Sequence, residues 1–175
     1  ALRVLCARFQ LPLFCNALTA RILQDGPLQN HLHWQKFTTG HSFRIGELLI
    51  EPFAVPHDAV EPVGMVIRNN HTAFGVLTDL GHVTTAIIQH LREVDCLLID
   101  TNYYDTLLQK CHKRPWSVKQ RILSRHGHVS NILAAQTSAH LSQGKLKHVL
   151  LGHLSQDCNH KDLAQAEVER VLEGQ

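Results

Sequence analysis

The stretch Val94-Asp95-Cys96-Leu97-Leu98-Ile99-Asp100 decides the fold class, because its apolar residues follow one another without polar alternation. Such a run is typical of a parallel strand that helices bury on both faces. On either side of this stretch, segments with strand and helix periodicity alternate along the chain. The order predicts an α/β fold in which residues 1–175 form a single domain.

The other predicted elements extend this alternation in both directions. The predicted strands cover residues 11–15, 33–38, 43–55, 62–68, 73–78 and 147–151. The predicted helices cover residues 1–9, 18–24, 84–93, 104–111, 117–125, 131–142 and 161–172. Asn16 and either Thr84 or Thr85 are the expected N-caps of the second and third helices.

The composition limits the class of protein. Apolar residues make up 44% and charged residues 18% of the 175 residues, as in soluble globular proteins and unlike disordered chains. The net charge of +2 argues against a dedicated non-specific nucleic-acid clamp and leaves a local basic groove possible. No apolar run approaches the ~18–20 residues of a membrane span, so we expect no membrane partner.

Cysteine and histidine usage points to the compartment and the chemistry. The five cysteines are scattered and form no Cys-x-x-Cys pair, which predicts reduced thiols in a cytoplasmic protein. The 14 histidines are many for this length. Histidine is the commonest metal ligand and carries protons near neutral pH, so this count favours catalysis or metal binding.

Polar residues cluster where the predicted apolar strands end. The four places are Val55-Pro56-His57-Asp58-Ala59, Leu77-Thr78-Asp79-Leu80-Gly81, Ile99-Asp100-Thr101-Asn102 and Leu151-Gly152-His153-Leu154-Ser155. In α/β sheets this edge is where ligands usually bind. Imidazoles and carboxylates together are suitable metal ligands, so the four strand ends predict a metal site.

Four motifs in a fixed order carry a family resemblance. They are Pro-His-Asp-Ala at 56–59, Thr-Asp-Leu-Gly at 78–81, Gly-His-Val-Ser-Asn at 127–131 and Gly-His-Leu-Ser-Gln-Asp-Cys-Asn at 152–159. The chain resembles the metallo-β-lactamase-fold hydrolases, and within them the YycJ/WalJ-type subgroup, related to RNase Z, RNase J and PhnP-type phosphodiesterases. The resemblance implies an αββα sandwich and a centre of two divalent ions, Zn²⁺ or Mn²⁺.

The resemblance also implies roles for individual residues. His57 would bind the first metal, Asp79 would bridge the two metals, and His153 would bind the second. His128 resembles the histidine that RNase Z-like enzymes hold near the scissile phosphate as a proton donor, which makes Asp79 and His128 the expected catalytic pair. The groups expected on the substrate side are Asn102, Ser130 and Asn131.

One departure from the family pattern concerns the ligand set. The family's His-x-His-x-Asp-His segment is absent, and His31-Leu32-His33 does not replace it because Trp34-Gln35-Lys36 follows. We therefore expect an N-terminally truncated form of the fold, the C-terminal portion of a longer hydrolase. His57, Asp79 and His153 alone would hold two metals weakly.

Three functions remain open on these residues. The first is metal-dependent phosphodiester hydrolysis by a nuclease, 5′-3′ exonuclease-like, with nucleic acid as substrate. The second is ester, thioester or lactone hydrolysis on the same centre. The third is a non-catalytic fragment or binding module without a complete metal site.

Two neighbouring groups can be interpreted in two ways. Asp58 either orients the imidazole of His57 or is a turn residue. Lys119 and Arg121 either contact a phosphate or form a solvated helix face.

Overall fold

A computed structural model describes residues 2–24 and 33–174 of the protein. The helices in these ranges are α1 (Leu2–Phe9), α2 (Ala17–Gln24), α3 (Thr85–Leu91), α4 (Asp105–Lys110), α5 (Trp116–Leu123), α6 (Asn131–Ser142) and α7 (Lys161–Glu173). The strands are β1 (Pro12–Asn16), β2 (His33–Phe37), β3 (Phe43–Ile45), β4 (Leu48–Ala54), β5 (Val63–Arg68), β6 (Ala73–Leu77), β7 (Cys96–Asp100) and β8 (His148–Gly152). The described helices include none that is long and apolar enough to cross a membrane.

The strands form two sheets. β1 and β2 pair in parallel, and the larger sheet has six strands in the order β3-β4-β5-β6-β7-β8. Pairing is antiparallel from β3 to β6 and parallel from β6 to β8. Strands β4, β6, β7 and β8 therefore run in the same direction, and their carboxyl ends meet at one edge of the sheet.

The main core lies between the six-stranded sheet and helices α3 and α6. Leu97 and Ile99 of β7 are fully buried, as the continuous apolar run predicts. They belong to a cluster with Ile87 and Leu91 of α3 and Ala134 of α6. Because α3 connects β6 to β7 and α6 lies between β7 and β8, both parallel connections cross over through helices.

Aromatic rings and one asparagine join the two sheets. The ring of Phe43 stacks on the rings of Phe14 and Phe37, at centroid distances of 5.6 and 5.0 Å. Asn16 donates its amide to the carbonyl of Glu61 at 2.7 Å, while its Oδ1 accepts the N–H of Thr19 and caps α2. The α/β class and the αββα sandwich expected from the sequence are confirmed.

The prediction of one strand over residues 43–55 is wrong. This segment forms two strands, β3 and β4, which pair with each other around a turn at Gly46 and Glu47. Gly46 has φ +57°, which a residue without a Cβ adopts readily, and Gly at the first position of a two-residue loop favours a hairpin. β2 pairs with β1, and the strand that follows it, β3, belongs to the larger sheet.

Candidate metal centre

Four strand ends bring imidazoles and carboxylates together. His57 follows β4, Asp79 follows β6, Asp100 is the last residue of β7 and His153 follows β8. Asp79 Oδ1 lies 3.7 Å from Nε2 of His57 and 3.6 Å from Nδ1 of His153. Asp100 Oδ2 lies 3.5 Å from the same nitrogen of His153. The three residues expected as metal ligands thus lie side by side.

His128 joins this group from the loop between α5 and α6. Its ring centroid lies 5.0 Å from that of His57 and 4.9 Å from that of His153. Nδ1 of His128 donates a hydrogen bond of 3.0 Å to Oδ2 of Asp100. This hydrogen bond fixes the orientation of the His128 ring. It leaves the other ring nitrogen, Nε2, without a role in that bond and therefore available to the cluster.

Asp100 is completely buried, and its Oδ1 has no hydrogen-bond partner in the described part of the chain. An unpaired buried carboxylate oxygen is costly unless a positive charge compensates it. Burial lowers the pKa of His128, but the hydrogen bond and charge of Asp100, with the charges of Asp79 and Asp58, outweigh burial and raise this pKa. Asp100 therefore stabilises the protonated form of the His128 ring.

The side chains fall into two overlapping groups of possible metal ligands. One comprises His57, Asp79 and His128, and the other comprises Asp100, His128 and His153. Within each group the candidate ligand atoms lie within 4.8 Å of one another. Imidazole nitrogens mixed with carboxylate oxygens suit Zn²⁺ and Mn²⁺, and a cation here would compensate Asp100. The residues present therefore fit divalent metal ions.

The orientation of His57 is fixed by the loop that carries His128. Nδ1 of His57 donates to the carbonyl of Gly127 at 2.9 Å, so Nε2 faces the cluster. Asp58 Oδ1 lies 3.5 Å from this Nε2, and the other oxygen of Asp58 accepts the Nε–H of Arg121. Asp58 therefore borders the site at the nitrogen of His57 that faces the cluster, while the carbonyl of Gly127 orients the ring.

Asp79 and His153 both have left-handed backbone conformations, with φ of 56° and 57°. This region is unfavourable for residues with a Cβ, and such residues often occur at functional sites. Around His153, Thr101 donates its N–H to the carbonyl of Gly152 at 2.9 Å. Asn102 donates its side-chain amide to the carbonyl of His153 at 3.0 Å. The end of β7 thereby holds the backbone that places His153.

A cavity of about 380 Å³ opens over the cluster. His57, His128 and His153 line it on one side. Arg114 and Arg121 also line it, and each is paired with a carboxylate; Nη2 of Arg114 lies 3.0 Å from Asp157. The cavity therefore presents imidazoles beside two guanidinium groups, whose carboxylate partners Asp157 and Asp58 also line it.

The residues expected to contact the substrate occupy different places. Asn102 lines the cavity, although its amide is used on the carbonyl of His153. Ser130 accepts the N–H of Leu133 as the N-cap of α6 and is not among the residues that line this cavity. Asn131 is fully buried and exchanges two hydrogen bonds with the amide of Asn159, at 2.8 and 2.9 Å.

The remaining polar candidates lie at the periphery. Lys119 donates to the carbonyl of Gln109 and does not line the cavity, in contrast to Arg121. His33 is exposed on β2, and His31 lies outside the described residues.

Two residues of the site, Asp100 and Arg114, were not among the residues singled out by the sequence analysis. The signal for Asp100 was its place at the end of the buried strand β7, beside the positions that were chosen. Arg114 lies in the loop between α4 and α5, and no local pattern distinguishes it from a surface arginine. Its place on the cavity wall depends on Asp157, which is far away in the sequence.

A two-sheet sandwich with a cluster of histidines and aspartates at the strand ends is typical of the metallo-β-lactamase fold. In comparisons with known proteins, the model of the Beta-lactamase superfamily domain matches residues 1–154. The chain therefore belongs to the Beta-lactamase superfamily domain family.

Individual relatives agree with this assignment. The chain is 34% identical over 174 residues to the exodeoxyribonuclease YycJ of Bacillus anthracis, covering 98% of this chain and 65% of the relative. It is 31% identical over 168 residues to the exodeoxyribonuclease WalJ of Streptococcus pneumoniae, covering 92% and 61%. Among solved structures, the metallo-β-lactamase fold protein YhfI of Bacillus subtilis has a TM-score of 0.71 at 17% identity, covering 93% of this chain and 59% of that chain. The chain thus spans about two thirds of the length of the curated relatives it matches.

Proposed function

We propose that this protein is a metal-dependent phosphodiesterase that acts as an exonuclease on DNA, 5′-3′ in direction. The observation that carries the proposal is the convergence of His57, Asp79, Asp100, His128 and His153 at one edge of the sheet. The names of the two curated relatives support nucleic acid as the substrate. The free thiols of Cys15, Cys96, Cys111 and Cys158 are consistent with a cytoplasmic location.

Two divalent ions, Zn²⁺ or Mn²⁺, would be held by His57, Asp79 and His153, and the buried carboxylate of Asp100 would compensate part of their charge. When bound, such ions supply Lewis-acid chemistry, activating water and neutralising charge on phosphoryl oxygens. The contribution of the protein is to orient the ligands. The carbonyl of Gly127 fixes His57, and Asn102 fixes the backbone at His153.

His128 is the proton donor in this proposal. Its Nδ1–H is held by Asp100, so the proton that can move is the one on Nε2. The raised pKa of His128 favours the protonated ring from which the leaving oxygen takes that proton. Asp100 stabilises the imidazolium and keeps the ring aimed at the cavity.

The guanidinium groups on the cavity wall favour a phosphodiester over an uncharged ester. Arg114 and Arg121 line the cavity, and their ion pairs with Asp157 and Asp58 hold them in place. Guanidinium groups contact phosphate oxygens with two parallel N–H groups, and a neutral ester offers no equivalent charge.

The proposal is tested with the protein loaded with Mn²⁺ or Zn²⁺. The substrates are double-stranded DNA with a 5′ label, the same sequence as RNA, and a p-nitrophenyl ester. Asp79→Asn is the site variant. Glu93→Gln is the control, because Glu93 forms an exposed surface pair with Lys145 away from the cluster. Bound metal is counted by plasma mass spectrometry for each variant.

We expect release of nucleotides from the DNA end by the wild type and by Glu93→Gln, and loss of both metal and turnover in Asp79→Asn. Hydrolysis of the ester with intact DNA would instead identify an ester hydrolase on the same centre. A protein that binds no metal and cleaves none of the three substrates would be a binding module, and the nuclease proposal would be wrong.

A further inference from the structure

Two cysteines pack in the same small apolar cluster, next to the loops that carry Arg114 and Asp157. Cys158 is 1% exposed and packs with Tyr103 and Leu108 in a small apolar cluster. Cys111, at the end of α4, is half-buried and packs against the same cluster. Both are free cysteines and are not joined by a disulfide.

The loops that carry these cysteines are already held together by charge. Lys113 Nζ lies 2.8 Å from Asp157 Oδ1, and Arg114 Nη2 lies 3.0 Å from Asp157 Oδ2. Each cation stands within three residues of Cys111, and Asp157 precedes Cys158. The backbone of Cys158 is fixed as well, because its carbonyl accepts the N–H of Tyr104. These contacts hold the two loops next to each other without a bond between the cysteines.

The surroundings of the two sulfur atoms differ. Burial raises the pKa of Cys111, but hydrogen bonds from the Cys158 thiol and from the backbone N–H groups of Lys113 and Arg114 outweigh it and lower this pKa. Burial and the hydrogen bond to Cys111 raise the pKa of Cys158. Cys111 is therefore the more readily ionised of the two thiols, and it is also the more accessible one. Thiolates that are partly accessible and stand beside a second cysteine are the ones that react with peroxides.

We propose that Cys111 and Cys158 form a modification site for hydroperoxides, which convert the pair into a disulfide within this apolar cluster. This site is independent of the proposed nuclease activity. Its substrate class is a hydroperoxide, with hydrogen peroxide as the simplest member.

The reaction proceeds in two balanced steps. The Cys111 thiolate attacks one peroxide oxygen, an S–O bond forms, the O–O bond breaks, and the other oxygen leaves as water or an alcohol after taking a proton. This gives a sulfenic acid at Cys111. The sulfur of Cys158 then attacks the sulfur of Cys111, the S–O bond breaks and water leaves. Two thiols are oxidised by two electrons in total, and one peroxide is reduced.

The experiment treats the fully reduced protein with equimolar hydrogen peroxide and maps the cysteine peptides by mass spectrometry. The variants are Cys111→Ser, Cys158→Ala and, as a matched control, Cys96→Ser, whose half-buried thiol lies on β7. Circular dichroism confirms that each variant is folded. Dimedone, which labels sulfenic acids, is included in parallel samples.

We expect a cross-linked peptide pair containing Cys111 and Cys158 in the wild type and in Cys96→Ser. Cys158→Ala should accumulate dimedone-labelled Cys111, and Cys111→Ser should consume peroxide roughly tenfold more slowly. The proposal is overturned if folded Cys111→Ser consumes peroxide at the wild-type rate. It is equally overturned if the wild type ends with a persistent sulfenic acid at Cys111 and no disulfide.

Discussion

Gly127 offers a way to disturb the candidate site without removing any of its chemical groups. A Cβ on this residue would meet the backbone carbonyl oxygens of Arg121 and Ile122, and would lie 2.6 Å from the carbonyl carbon of Ile122. Real Cβ atoms essentially never approach other atoms below 3.0 Å. Because these neighbours are backbone atoms at the end of α5, Gly127→Ala must displace its own loop by roughly 1 Å. Overpacking of this kind lowers the free energy of unfolding by about 1–3 kcal/mol.

The displacement reaches the cluster through two routes. The carbonyl of Gly127 accepts the Nδ1–H of His57, and His128 is the next residue in the chain. Loss of an orienting hydrogen bond to a metal-binding histidine lowers metal affinity by roughly 10–100-fold, and we expect a fall in this range. Isothermal titration with Zn²⁺ measures the affinity, and urea unfolding measures the stability.

Gly174→Ala is the matched control, since the nearest atom to its new Cβ would be 3.5 Å away and Gly174 lies beyond the end of α7. Its stability and Zn²⁺ affinity should equal those of the wild type. If Gly127→Ala is folded and binds Zn²⁺ as tightly as the control, the carbonyl of Gly127 does not position His57 and the reasoning is refuted.

Three further predictions concern stability, measured by urea unfolding. Asn159→Ala leaves the buried amide of Asn131 without its partner and should cost about 2–3 kcal/mol; a cost below about 0.5 kcal/mol would contradict this. Asp95 accepts the N–H of Ala73, which with the Lys147 ammonium lowers the pKa of its carboxyl. The contribution of the Asp95 carboxylate to the free energy of unfolding should be complete above the unfolded pKa of about 3.9 and disappear as pH falls through the lower folded pKa. Asp95→Asn should therefore be less stable than the wild type at pH 6, and this difference in stability should disappear in acid. Gly46→Ala, with nothing within 4 Å of the new Cβ, should lose about 1 kcal/mol through its positive φ alone, and an unchanged stability would show that the turn adapts freely.

The sequence predicted those parts of the fold that depend on local patterns. Helix α6 has the predicted bounds, Thr84 caps α3 through a hydrogen bond from the N–H of Ile87, and β7 is buried as its apolar run requires. The sequence did not predict the β3–β4 hairpin, because the residues on both sides of Gly46 continue one strand pattern. Only the left-handed conformation of Gly46 shows that the chain reverses there.

The site could be predicted where its residues directly follow strands, as His57, Asp79 and His153 do. The burial of Asn131 could not, because it depends on pairing with Asn159, which is remote in the sequence. The place of Arg114 on the cavity wall could not be predicted for the same reason, because its ion pair with the distant Asp157 sets it. Local periodicity carries no information about such distant side-chain pairs.

The left-handed conformations of Asp79 and His153 have a consequence for attempts to improve this protein. A left-handed conformation costs a residue with a Cβ roughly 1–2 kcal/mol, and glycine avoids this cost. A library selected for heat resistance would therefore enrich glycine at these two positions, and its best survivors would have lost two of the proposed metal ligands. Selection for thermostability in this fold needs a simultaneous screen for bound metal, or it will drive the protein toward a more durable but inert scaffold.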